Sequence, residues 1–173
     1  MGKVKKYVFE NGEGRFSELT AEEIAAMEAI PVLPQEYGVQ EATVTVLRYL
    51  LAGSTPTTSD DRIQCAALYP EWTAGAHTQG EIYTTQDQVW ECFQVYDNAV
   101  YPDVAPGSAA WYTFNRPLHG TSPETARYYV SPTGAHDMYH AGEYMIYTDG
   151  KLYVCTQDTA YSPSDYAAAW EKK

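Results

Sequence analysis

An internal repeat constrains this chain more than any other feature. The first copy runs Gly75-Ala76-His77, Gly80-Glu81, Val89-Trp90-Glu91-Cys92-Phe93-Gln94, Pro106 and Trp111. The second runs Gly134-Ala135-His136, Gly142-Glu143, Leu152-Tyr153-Val154-Cys155-Thr156-Gln157, Pro163 and Trp170. The matches keep their order, and their spacing drifts by only a few positions, as insertions in loops produce. Units of about 45 residues are smaller than chains that usually fold alone without staples. They must lean on each other, on the rest of the chain or on a partner.

The aromatic residues follow the same division. There are 16 Tyr against 4 Phe and 4 Trp, and 19 of these 24 lie between Tyr69 and Trp170. Tyrosine joins an apolar ring to a polar tip, which suits half-exposed surfaces that also bind something. Trp72, Tyr96, Tyr101, Tyr112, Tyr139, Tyr161 and Tyr166 lie in or beside expected loops and are the candidate binding platforms. Trp90, Trp111, Tyr153 and Trp170 occupy repeat-matched positions and read as core.

The first 70 residues have a different grammar. Val4 and Tyr7-Val8-Phe9 suggest a strand, Asn11-Gly12-Glu13-Gly14 a turn, and the residues up to 19 a second short strand. Thr20-Ala-Glu-Glu23 is a capping box that starts a helix stopped near Pro31. A second helix is expected over Glu41–Ala52, with Val44, Leu47 and Leu51 on one face and Gly53 as its stop. A third is expected over Asp60–Tyr69, capped by Thr58 or Ser59, with Asp60-Asp61 favouring its positive end. Residues 31–40 read as linker.

Beyond Pro70 the segments are short and bounded by Gly, Pro, Asp and Asn. Strands are expected near Ile82-Tyr83, Val89–Phe93, Met145–Tyr147 and Leu152–Cys155. Thr148-Asp149-Gly150-Lys151 is a hairpin turn with the favoured Asp-Gly pair, and Thr84–Gln88 is a less ideal one. The expected fold class is therefore α+β: a small N-terminal β-hairpin and short helices, then two repeated, mostly antiparallel β modules. The expected division is 1–67 for a mainly helical docking or oligomerisation region, 68–115 for the first module, 116–127 for a linker and 128–173 for the second module.

Charge excludes several function classes. Eleven Lys and Arg against 23 Asp and Glu give a formal charge of −12. Nucleic-acid binding needs a basic stripe that displaces counterions, and anionic membranes attract basic segments; neither partner is expected. No apolar run approaches the roughly 20 residues of a membrane helix. The basic start lacks a following apolar stretch, so a signal peptide is not expected, and Lys6 breaks the myristoylation pattern. Cys65, Cys92 and Cys155 are odd in number and far apart, which suits buried free thiols made in a cytoplasm rather than a disulfide framework.

The repeated grammar, a Gly-Glu step, an apolar-aromatic strand, a tight turn, Gly150-Lys151-Leu152-Tyr153-Val154-Cys155, Pro163 and a closing Trp170, resembles the chitin- or cellulose-binding modules of carbohydrate-binding families 5 and 12. Leu68-Tyr69-Pro70-Glu71-Trp72, Pro102–Pro106 with Trp111, and Thr133–Tyr139 are similar to modules of phage and prophage tail-associated proteins. The resemblance covers roughly residues 68 to 171. It implies small antiparallel β units that bind carbohydrate. It also implies that Trp72, Tyr96, Tyr101, Tyr112, Tyr139, Tyr161 and Tyr166 are candidate carbohydrate platforms, since a sugar ring stacks its C–H face on an aromatic ring while flanking polar groups meet its hydroxyls.

Catalytic chemistry is not suggested by the remaining residues. Glu81 and Glu143 match in the repeat and each follows Gly, whereas a glycosidase needs two carboxylates with divided roles in one cleft. No nucleophile elbow, P-loop or Cys-His pattern is present. His77 and His136 read as structural loop residues. His136 and His140 have the i, i+4 spacing of a helical metal pair, but Gly134 and Gly142 bracket them, so no metal and no cofactor is expected. The reading is a non-enzymatic phage or prophage virion protein, made in a bacterial host cytoplasm. Its modules would adsorb to host-surface polysaccharide, and its helical part would contact other virion proteins or form a homo-oligomer. The alternative is a purely architectural virion protein that keeps the module fold without sugar binding. A cell-wall hydrolase accessory domain is a third reading, disfavoured because no catalytic domain shares the chain.

Overall fold

The computed structural model describes residues 5–10, 13–51, 53–134 and 136–173. The architecture is α+β, with short helices and small, mostly antiparallel sheets. The chain divides into two units, Met1–Pro31 and Val32–Lys173. The boundary falls inside the segment expected as one N-terminal region, and both β modules belong to the second unit.

The first unit is a hairpin, β1 (Lys5–Glu10) with β2 (Glu13–Glu18), followed by helix α1 (Ala21–Glu28). The turn residues Asn11 and Gly12 lie outside the described residues, as does Val4. Tyr7 packs edge-on against Phe16 across the strands. The capping box forms as expected: Glu23 N–H donates to Thr20 Oγ1 at 3.2 Å, and Thr20 N–H donates to Glu23 Oε2 at 2.9 Å. Lys6 pairs with the same Glu23.

The second unit begins with helix α2 (Val39–Leu51), which Gly53 and Ser54 close by donating to Leu50 O and Tyr49 O. Its buried positions are Ala42 and Thr45, whereas Val44 and Leu47 of the expected apolar face are exposed. The Leu51 side chain lies outside the description. Small residues win the inner face because α2 packs closely on helix α3 (Ser59–Gln64) and the short 3-10 turn Ala66–Leu68. Thr58 caps α3 by accepting the Asp61 N–H at 3.1 Å.

The repeat in sequence is a repeat in hydrogen bonding. In the first module β3 (Ala76–His77) pairs with β6 (Tyr96–Asp97). Beside them, β4 (Ile82–Thr85), β5 (Gln88–Cys92) and β7 (Asn115–Pro117) form a three-stranded sheet. In the second module Tyr139 bridges Thr159, and β8 (Arg127–Tyr128), β9 (Tyr144–Ile146), β10 (Leu152–Cys155) and β11 (Trp170–Lys172) form a sheet. Gly80 N–H donates to Cys92 O at 2.7 Å, and Gly142 N–H to Cys155 O at 2.8 Å. Both glycines have positive φ, +85° and +95°, a region closed to most side chains. Phe93 N–H reaches Phe114 O, and Thr156 N–H reaches Ala169 O.

This register corrects two details of the sequence alignment. Glu81 and Glu143 are equivalent, which places Tyr139, not His136, opposite His77. Phe114 and Ala169 are equivalent, which places Asn115 opposite Trp170 and Tyr166 opposite Trp111. The two Gly-Ala-His tripeptides and the two closing tryptophans therefore match in letters but not in place.

The segment 116–127, expected as a linker, is built into the fold. Arg116 and Pro117 belong to β7, and Leu118, His119, Thr125, Ala126 and Arg127 are all buried. Among the described residues three apolar clusters result. One gathers Tyr83, Trp90, Tyr96, Trp111 and Phe114. Another gathers Tyr139, Met145, Cys155 and Trp170. Ile63, Val89 and Leu118 make the third and fasten α3 to the first sheet.

Candidate functional site

Among the described residues of the second unit, the most open pair of touching aromatic rings lies in the loop before the last strand of the second module. Thr159 and Tyr139 exchange backbone hydrogen bonds of 2.9 and 3.0 Å, which anchor the start of the loop. Trp170 Nε1 donates to Tyr161 O at 3.0 Å, so the buried indole fixes the backbone of an exposed tyrosine. Ser162 Oγ accepts the Asp165 N–H and caps the turn that follows. Tyr161 is 64% exposed and Tyr166 is 43% exposed. Their ring centroids are 6.5 Å apart with planes at 87°. Such a corner offers one ring face for stacking and the second ring as a side wall.

Polar groups surround this corner. Gln157 Nε2 donates to Tyr166 Oη at 2.7 Å, and Tyr147 Oη lies 2.8 Å from Ser164 Oγ. Hydrogen bonds from Ser164 and Ser162 hold the Tyr147 phenol below its ordinary pKa. Asp158 and Asp165 bring carboxylates to the same loop. Apolar rings flanked by short polar side chains suit a hydroxylated ring ligand, which needs both.

The other candidates do not join one surface. Tyr101 and Tyr112 of the first module are exposed, resting on Phe114 and edge-on to Trp111. Trp72 is half-buried, stacked on His77 with its Nε1 donating to Tyr96 Oη at 2.9 Å. Tyr96 and Tyr139 are corrections: at 4% and 1% exposure neither can present a face to a sugar. Both sit on backbone bridges rather than in loops, Tyr96 opposite His77 and Tyr139 opposite Thr159, and their rings turn inward. Burial raises the Tyr139 phenol well above its ordinary pKa. Trp90, Trp111 and Trp170 are core as expected, but Tyr153 is only partly buried, lying under Lys172 with its hydroxyl on Asp149.

A second, polar cleft of about 220 Å³ is lined by Arg62, Glu91, Arg116, His119, His140 and Glu143, among others. Glu91 accepts Arg116 Nε at 2.9 Å and Nη2 at 2.7 Å, with Arg62 at 3.5 Å from its other oxygen. Glu143 Oε2 accepts the His140 N–H at 2.8 Å and lies 2.9 Å from His119 Nδ1. Glu81 does the same in the first module, accepting the Thr78 N–H at 3.0 Å and lying 3.2 Å from His77 Nδ1. One carboxylate in each module thus closes one turn and meets one imidazole, which is the work of a structural brace. His119 escaped the sequence reading because it lies in the expected linker; the run Leu118-His119-Gly120 was its only local signal.

The i, i+4 histidines are not on a helix. His136 Nε2 lies 2.9 Å from Tyr112 O, and His140 Nδ1 lies 3.0 Å from Asp158. Among the described residues no cluster of three or more ligating side chains gathers to hold a metal. No helix among them is long and apolar enough to cross a membrane. No protein-family model and no curated protein matches the chain.

Proposed function

We propose that this chain is a non-enzymatic virion protein of phage or prophage tail type whose β modules adsorb to host-surface glycan. The observation that carries the reading is the Tyr161–Tyr166 corner, exposed on a loop that a buried tryptophan and two serines hold in shape. Preorganised aromatic faces lose little entropy on binding. Several chains per particle would turn one weak site per chain into useful avidity. The net charge of −12 favours solubility at high local copy number.

The test is binding of the full chain, multimerised on a carrier, to a glycan array that includes chitin oligomers and wall polysaccharides. Specific retention lost in Tyr161→Ala, with thermal stability kept, supports the reading. A folded chain that binds nothing on the array sinks it.

The architectural alternative has its own observation. On α2 the apolar side chains Val39, Val44, Leu47 and Leu50 are exposed. A face of this kind is what an assembly surface between virion subunits would use. Light scattering after size exclusion, on the wild type and on Leu47→Glu, separates a self-associating chain from a monomer.

A further inference from the structure

A larger cleft, of about 620 Å³, lies elsewhere on the second unit. One wall is the extended strap of residues 33–37; the floor and far side come from the β4–β5 turn and from β8. Two of its lining side chains are buried polar groups with an unused donor. Arg127 is 5% exposed and Gln88 is 6% exposed. Arg127 Nη1 donates to Gln35 O at 3.0 Å and to Ala126 O, while its Nε has no partner. Gln88 Oε1 accepts the Val89 N–H at 3.0 Å, which fixes the orientation of the amide and leaves Nε2 as a donor without an acceptor.

The charge has no direct carboxylate partner among the described residues either; Asp87 acts on it only at longer range. The ion pairs among the described residues include none to Arg127; its neighbour is the Tyr37 ring, 5.9 Å from the guanidinium carbon. Folded proteins rarely bury a cation without a carboxylate or leave two buried donors idle. A group that accepts from both and carries one negative charge would correct both faults at once.

We propose that this cleft binds a small carboxylate ligand, its carboxyl group accepting from Arg127 and Gln88. Two planar donors beside one cavity match the two oxygens of a carboxylate. The exposed Glu36, Glu71 and Asp87 around the cleft repel an anion only weakly, since they act through water, whereas the guanidinium acts from a dry site. They also supply acceptors for hydroxyl groups, which favours a hydroxylated acid such as a uronic acid over a bare one. The two nitrogens are closed to solvent, so a ligand reaches them only as the wall around them gives. The strap has neither helix nor strand and is tied by Gln35 O and by Tyr37 Oη, which donates to Glu124 O at 3.1 Å. The site does not depend on the Tyr161 loop.

The experiment is a titration of the full chain with sodium glucuronate, glucose and benzoate up to about 10 mM, which reads millimolar or tighter dissociation constants. Proton–nitrogen spectra follow the Gln88 side-chain amide and the Arg127 Nε–H. Glucuronate is expected to bind and move both signals, and glucose to move neither. Benzoate binding as well would support a site for free carboxylic acids; its failure to bind would support an acidic sugar. Arg127→Met and Gln88→Glu are each expected to weaken glucuronate at least about tenfold, and Tyr161→Ala to leave it unchanged. If Arg127→Met does not fold, Gln88→Glu and the wild-type spectra still decide. The proposal is overturned if the folded wild type binds neither acid, if glucose binds as well as glucuronate, or if the two signals stay still while ligand binds.

Discussion

His119 lies flat on Tyr139, ring centroids 3.8 Å apart and planes 4° apart, with its Nδ1 2.9 Å from Glu143. The equivalent place in the first module needs no such import. There His77 occupies the position of Tyr139 and meets Glu81 from within the same turn. The second module has a tyrosine where the first has its histidine, and takes an imidazole from the segment that joins the two. The joining segment therefore reaches the second module's core through His119, while Leu118 packs on Ile63 and Val89 and Thr125 bonds to Asp60.

Replacing His119 tests this dependence. His119→Ala removes a stacked ring and leaves Glu143 without its imidazole partner, a loss of roughly 2–4 kcal/mol from the cavity and the unmade hydrogen bond. His140→Ala removes an exposed ring paired with Asp158 and leaves the urea midpoint near that of the wild type. Equal effects of the two substitutions would show that the stacked pair carries no special weight.

The β4–β5 turn carries local strain. Gln86 and Asp87 have φ of +46° and +62°. A two-residue connection with both φ positive is the type I′ turn, which favours Asn-Gly. Neither residue here is the preferred one, and Asp87 stands where glycine is free of cost. The pair Gln86→Asn with Asp87→Gly is expected to raise stability by about 1 kcal/mol, seen as a higher urea midpoint at unchanged slope. A fall in the midpoint would mean that the side chains of Gln86 and Asp87 do work that the backbone geometry does not reveal.

That turn also shows what was legible in the sequence. Local chemistry was: the Thr20 capping box, the Thr58 cap and strand β10 all stand where short-range rules put them. The Asp149-Gly150 turn exists, but only Gly150 has positive φ, +70°, and Tyr147 O accepts its N–H at 2.9 Å, so it is not the two-residue form. Long-range placement was not legible. Nothing in the letters shows that α2 turns Ala42 and Thr45 inward, because close helix approach rather than hydrophobicity decides that face. Tyr96 and Tyr139 look like loop aromatics until backbone bridges to distant residues pull their rings into the core. Arg127 and Gln88 are ordinary polar letters, and only tertiary burial makes their idle donors visible.

The buried thiols give a pH-dependent prediction. Burial pushes Cys92 and Cys155 up to about 11 each, and Cys65 upward as well. The Sγ atoms of Cys92 and Cys155 donate to Gln94 O and Gln157 O at 3.1 and 3.0 Å. The thiolate is the reactive form, so at pH 8 only about one thiol in a thousand at each of these two sites is ionised. Native protein is expected to resist a disulfide-exchange reagent such as DTNB at that pH, and all three cysteines to react once urea unfolds the chain. One fast-reacting cysteine in the native state would contradict the burial.

Acid should loosen the loop that holds the tyrosine corner. Asp158 is held below its ordinary pKa, first by the hydrogen bond with His140 and then by the Ala141 N–H, which donates at 2.9 Å. A carboxylate with a depressed folded pKa contributes stability above its unfolded value, about 3.9, and loses it as pH falls through the folded value. Asp158→Asn cannot make that contribution at any pH. The thermal midpoint of the wild type is therefore expected to exceed that of the variant at pH 5, with the gap closing as pH falls below about 4. A gap that stays constant down to pH 2.5 would show that Asp158 acts through shape and not through charge. Because Asp158 ties the loop to Ala141 beside Gly142, the glycan retention proposed for Tyr161 is expected to weaken over the same acid range, and in the variant to be weak already at pH 5.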